Sequence, residues 1–174
     1  SDLGGAYGGG GIIMRTNGFG TARIMKYVVL VLVIAFVAML LIYASGSSRP
    51  FKEVEDAVSG SLDKSNLTLQ DGTAFKREFG LNEADYAGVM YYASEFSISA
   101  EEVLVILVKD ESQVQEVTEA IDKQAEVRKN DFDGYAPEEV KLLEDAKQSV
   151  RGRYIFFAAA PKAEEYLEAF SNSL

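Results

Sequence analysis

Between Tyr27 and Ala44 the chain reads YVVLVLVIAFVAMLLIYA, eighteen residues without a charge, a glycine or a proline. As a helix rising about 1.5 Å per residue, this stretch reaches ~27 Å, close to the ~30 Å hydrocarbon thickness of a bilayer. Twelve of its residues are Val, Leu, Ile or Phe, each favouring the bilayer centre by roughly 0.3 to 0.6 kcal/mol. A helix that is apolar all round has no polar side to turn to water, which argues against the core helix of a small soluble domain. Tyr27 and Tyr43 stand where interfacial aromatics collect, and Arg15, Arg23 and Lys26 precede the run while the acidic bulk of the chain follows it. The positive-inside rule then places the N-terminus in the cytoplasm and the rest outside. The predicted organisation is a disordered cytoplasmic N-terminus over residues 1–26, a transmembrane anchor over 27–44, a linker over 45–49 and an extracytoplasmic domain over 50–174.

A cleavable signal peptide is the rival, because Ala44-Ser45-Gly46 offers small residues for a signal peptidase. The apolar run is longer than the roughly 7 to 15 residues of a signal h-region, which favours a single-pass anchor. With cleavage the domain would be secreted, so it is exported on either reading. Ser1 to Ile13 is a glycine-rich tract ending just before Met14. It is expected to be disordered, and a purine-rich ribosome-binding site would translate into such glycines, so Met14 or Met25 is the expected start. Gly18-Phe19-Gly20 is not a dinucleotide fingerprint, since Arg23 occupies the third glycine position and no strand precedes it.

From Pro50 onward there are 26 Asp and Glu against 13 Lys and Arg, a net charge of −13. Such a field repels phosphate backbones, so nucleic acid is not an expected partner. The chain has neither His nor Cys. That removes disulfides, ordinary zinc sites and the Ser-His-Asp and Cys-His nucleophile systems, and leaves carboxylates, Tyr, Lys, Arg and hydroxyls for any chemistry. No cofactor or metal is expected.

Beyond the linker, Phe51, Val54, Val58 and Leu62 recur at helical spacing. Asn66 to Gln70 is predicted as a polar connector, Asp71 to Phe79 as a short helix stopped by Gly80, and Asn82 to Tyr86 as a turn. Gly88 to Ser94 alternates as a strand, and Val103 to Val108, VLVILV, is a continuous apolar run that reads as a central strand covered on both faces. Ser112 to about Asn130 is the longest soluble helix, and Pro137 opens another to about Lys147. A hairpin at Ser149 to Ala159 and a final helix from Pro161 complete the chain. The order implies an α+β domain: a small sheet of three or four mostly antiparallel strands, with helices on at least one face.

The succession Phe79-Gly80-Leu81, Gly88-Val89 with Tyr91, Ala100-Glu101-Glu102 before an apolar strand, Arg128, Phe132-Asp133-Gly134-Tyr135-Ala136-Pro137-Glu138 and Gly152 with Tyr154 resembles the bacterial family filed as domain of unknown function 4358. The likeness covers roughly residues 51–170. It implies an exported protein, tethered by a helix or a lipid, with no assigned activity; this chain departs from lipid-anchored members in having no Cys.

Among single residues Arg128 is the most informative. At 100° per residue it lies in the middle of the face set by Val114, Val117, Ile121 and Ala125, so a charge is aimed at the core. Its ordinary role is to pair with a carboxylate or with loop carbonyls, and its functional role is to receive an anion beneath the loop carrying Phe132, Asp133, Tyr135 and Glu138. Asp131, Asp133 and Gly134 do not make a calcium loop, because aligning Gly134 with the invariant glycine puts Lys129 and Val140 at ligand positions. The pairs Glu101/Glu102, Glu138/Glu139, Glu144/Asp145 and Glu164/Glu165 are expected on solvated faces or at helix starts. Tyr91 and Tyr92 point to opposite faces of their strand, so one of them lies on an exposed apolar patch if helices cover one face only. These features favour a membrane-anchored extracytoplasmic module binding an envelope protein or a cell-wall component. The alternative is a carboxylate-based hydrolase of envelope glycans or peptides, which requires two carboxylates facing each other across a cleft.

Overall fold

The computed structural model describes residues 16–44 and 49–174, with side chains described for 20–41 and 49–174. Expectations for Ser1 to Ile13 and for linker residues 45–48 lie outside the described residues. The chain divides into two compact units near Leu41.

The described residues of the first unit belong to one helix, α1, Thr16–Ala44. It begins well ahead of Tyr27, so residues 16–26, expected to be disordered, are helical. Nucleation is the costly step in helix formation, and a turn added to an existing helix costs little, so the apolar run carries the helix back through Gly18 and Gly20. Gly20–Leu41 is long and apolar enough to cross a membrane, and its most apolar window has no buried residue.

The second unit is a five-stranded antiparallel sheet between two layers of helices. Its elements are α2 (Phe51–Ser61), β1 (Thr68–Leu69), α3 (Gly72–Phe79), β2 (Gly88–Ala93), β3 (Glu102–Leu107), α4 (Val114–Phe132), α5 (Pro137–Glu144), β4 (Lys147–Arg151), β5 (Tyr154–Ala159) and α6 (Ala163–Ser173). The strand order is β1-β2-β3-β5-β4, which puts the two apolar strands inside. Alternation along β3 and β5 sends Leu104, Ile106, Ile155 and Phe157 to one face, where they meet α3, α4 and α5 through Phe75, Phe79, Val117, Ile121 and Leu143. Val103, Val105, Tyr154 and Phe156 go to the other face, against Val54 and Val58 of α2 and Tyr166 and Phe170 of α6. With both faces covered, the strands read as unbroken apolar runs.

Several boundaries follow from local chemistry. Asp71 caps α3 by accepting from the Ala74 amide at 2.8 Å, and Gly80 ends that helix at φ 70°. Asp110 and Gln113 form a capping box on the 3₁₀ turn that leads into α4. The β4–β5 hairpin turns at Gly152, where φ is 61°. Three departures from expectation are small. Residues expected as a polar connector pair Thr68 with Ala93 and Leu69 with Tyr92, and so supply a fifth, edge strand. The helix from Pro137 ends at Glu144, because Lys147 already pairs with Ala158 in the sheet. The last helix starts at Ala163, two residues after Pro161.

Candidate functional site

The site is built where the C-terminal end of α3, the inner face of α4 and the loop from Ser94 to Ser99 surround a cleft of about 620 Å³. Val117, Ile121, Gln124 and Arg128 succeed one another on the inward side of α4. The first two complete the core, and the last two bring polar groups to its border.

Beneath the cleft lies Glu102, with no exposed surface. It opens β3 in phase with Leu104 and Ile106, so its side chain goes to the face covered by α4. One carboxylate oxygen, Oε2, accepts from the Tyr91 hydroxyl at 3.1 Å and from Gln124 Nε2 at 2.9 Å. Tyr91 pairs in register with Leu104, and Ala93 faces Glu102, so the contact is a diagonal one between neighbouring strands. Burial raises the Glu102 carboxyl to about 7, and the Arg128 charge and these two hydrogen bonds offset only part of that rise. Burial, and then the Glu102 charge, push the Tyr91 hydroxyl well above its ordinary value. Glu102 Oε1 and Gln124 Oε1 are buried acceptors with no protein donor.

Arg128 closes one side, with its side chain 20% exposed. Its NH2 donates to the Ser99 carbonyl at 2.8 Å, its NH1 lies 3.8 Å from Glu78 on α3, and its guanidinium stands 5.5 Å from the Phe132 ring centre. Its Nε is buried without a partner. Thus the half-buried charge meets a carboxylate and a loop carbonyl, but the carbonyl belongs to the loop before β3 and not to the segment after Phe132. That loop is braced further: Ser94 donates to Asn66 at 3.0 Å, and Asn66 donates to the Ser99 hydroxyl at 3.1 Å and to Glu101. Glu139 accepts from the Ala100 amide at 2.6 Å.

Of the residues singled out from the sequence, Arg128, Phe132 and Tyr135 come together at the cleft. The Tyr135 ring is 5.9 Å from that of Phe132 and is itself exposed. Asp133 and Glu138 are exposed and do not line it. The expected exposed tyrosine is corrected: Tyr91 is buried and Tyr92 is half-buried, because helices cover both sheet faces. Glu102, expected in a solvated pair, is also corrected: the strand starts one residue earlier than the apolar run and carries it inside. Gln124, Glu78 and the loop residue Phe96 were not singled out. The first was legible, since it falls between Ile121 and Arg128 on the same helical face. Glu78 and Phe96 arrive by tertiary packing and left no local signal.

Three cationic side chains, Arg77, Lys123 and Arg128, and three anionic ones, Glu78, Glu95 and Asp131, line the cleft. Among the described residues no three carboxylates converge to hold a metal ion. The arrangement can bind by ring contact and by hydrogen bonds of either polarity, and its most perturbed carboxyl, that of Glu102, is closed off from solvent. Residues 60–160 match a family model described as domain of unknown function (DUF4358). No curated protein matches the chain, and no solved structure does.

Proposed function

The chain belongs to the DUF4358 family, and we propose that it is a membrane-anchored extracytoplasmic binding module whose ligand, an envelope protein or cell-wall component, enters the Arg128 cleft. The observation that carries this is the convergence on one cleft of Arg128, Phe132 and Tyr135 with the exposed Phe96 and the buried Gln124. Exposed rings beside fixed polar groups are what a specific binding surface offers a ligand. The apolar length of α1 and the basic residues Arg23 and Lys26 ahead of its most apolar part support an anchor with the domain outside. A hydrolase has less support, since Glu102 has no exposed surface and Glu78 is paired with Arg77 and Arg128, which leaves Glu95 and Asp131 as the carboxylates the cleft offers.

The test is photo-cross-linking in intact cells, from a photoreactive residue replacing Tyr135 or, on the far edge of the sheet, Gln148. A discrete adduct from position 135 that is absent from position 148 supports the cleft as the binding site. Adducts of equal yield from both positions, or none from position 135, would remove it.

A further inference from the structure

The lining of the cleft limits what it can hold. The formal charges of its three cations and three anions cancel, so the lining by itself selects neither an anionic nor a cationic ligand, while every one of those side chains keeps donors or acceptors to offer. Two rings face the same space: Phe96 is 64% exposed and Tyr135 is 63% exposed. Tyr135 is backed by Phe132, and Phe96 sits on the loop that Arg128 and Asn66 hold at Ser99. Both rings are therefore presented by fixed supports. At the base, Gln124 is only 5% exposed, lines the cleft, and has its amide oxygen unpartnered while its nitrogen is committed to Glu102.

A peptide in extended form is usually held by main-chain bonds to a free strand edge, with pockets for alternate side chains. None of the lining residues lies in a strand, so that mode is closed here. A sugar ring needs something different. Its C–H face carries partial positive charge that suits the electron-rich face of an aromatic ring, and its hydroxyls take donors and acceptors alike without demanding net charge.

Resting on the reading of this cleft as the binding site, we propose that its ligand is a neutral glycan, with a sugar ring seated against Tyr135 and Phe96 and its hydroxyls bonded to the charged side chains around them. The rings supply the affinity, and the balanced charges set orientation.

The full chain in lipid nanodiscs is titrated calorimetrically with three uncharged probes: cellotriose, the β-linked trimer of N-acetylglucosamine, and the capped peptide acetyl-Ala-Ala-Ala-amide. One or both trisaccharides should bind, and the peptide should not. Tyr135→Ala and Phe96→Ala should each weaken sugar binding roughly tenfold, the scale of about 1.4 kcal/mol, with the unfolding temperature unchanged. Leu69→Ala, which removes an exposed apolar side chain away from the cleft, should leave it unaltered. Binding of the peptide alone, sugar binding indifferent to both ring variants, or no binding of either trisaccharide would overturn the glycan assignment. If no sugar binds but cross-linking from position 135 still yields a discrete adduct, the ligand class is wrong and the cleft remains the site.

Discussion

Replacing Glu102 by Gln should make the protein more stable in mildly alkaline solution and leave it nearly unchanged in acid. The substitution keeps shape and volume, and the new amide oxygen can still accept from Tyr91 and Gln124, as Oε2 does now. Its NH₂ group also brings a donor toward the Gln124 oxygen that has no partner. The magnitude follows from proton linkage. Burial raises the Glu102 carboxyl from 4.5 to about 7 in the folded chain, so between those values the folded state holds a proton that the unfolded state has released. The stabilisation from that proton is fully present below about pH 4.5 and is lost as pH rises through about 7. At about 1.4 kcal/mol per unit, roughly 3 kcal/mol disappears in total. Glu102→Gln has no proton to lose. Urea unfolding of both forms in mild detergent, at pH values from 4.5 to 8.5, should give free energies that nearly coincide at the acid end. They should diverge to about 3 kcal/mol in favour of the variant at the alkaline end. Comparing the two forms cancels the many other carboxylates. Parallel pH profiles would refute the reasoning, because they would mean that Glu102 is ionised alike in both states or is not buried.

Arg128→Met keeps the apolar stem against Phe132 but strands the Ser99 carbonyl and loosens Glu78; urea unfolding should register a loss of roughly 1 to 3 kcal/mol, with faster amide exchange over Ser94 to Ala100. Gly88→Ala should cost about 1 to 3 kcal/mol, since the new Cβ would stand 2.4 Å from the Phe51 ring, and a crystal structure of the variant should show that ring displaced. Phe156→Ala removes a fully buried ring stacked 5.1 Å from Phe170, and calorimetry should find a destabilisation of about 3 to 5 kcal/mol.

The sequence made much of this fold legible where one physical signal dominates. The charge-free run from Tyr27 announces a long apolar helix, and the unbroken runs at Val103 and Tyr154 announce strands covered on both sides. The edge strand at Thr68–Leu69 was not legible, because two residues are too few to show a period and their polar neighbours read as a connector. Helical phase correctly aimed Arg128 inward, yet it could not name the partner: Ser99 lies 29 positions away, and its loop is placed by packing rather than by local propensity. Glu102 departs from its expected place for the opposite reason. Two adjacent acidic residues suggest a solvated face, but period-two alternation puts the second in line with Leu104 and Ile106, and the sheet buries it. The cleft itself is a product of three elements distant in sequence, and only its α4 wall could have been drawn in advance.

The proposal of an envelope ligand depends on α1 anchoring the chain with the domain outside the cytoplasm. The chain has no Cys, so single cysteines report position without background. Gln148→Cys, on the exposed edge strand β4, and Arg23→Cys, near the start of α1, are treated in intact cells with a membrane-impermeant maleimide. Labelling of position 148 in intact cells, with position 23 reached only after permeabilisation, is the predicted result. Protection of position 148 until the cells are opened would put the domain in the cytoplasm and contradict the account at its base.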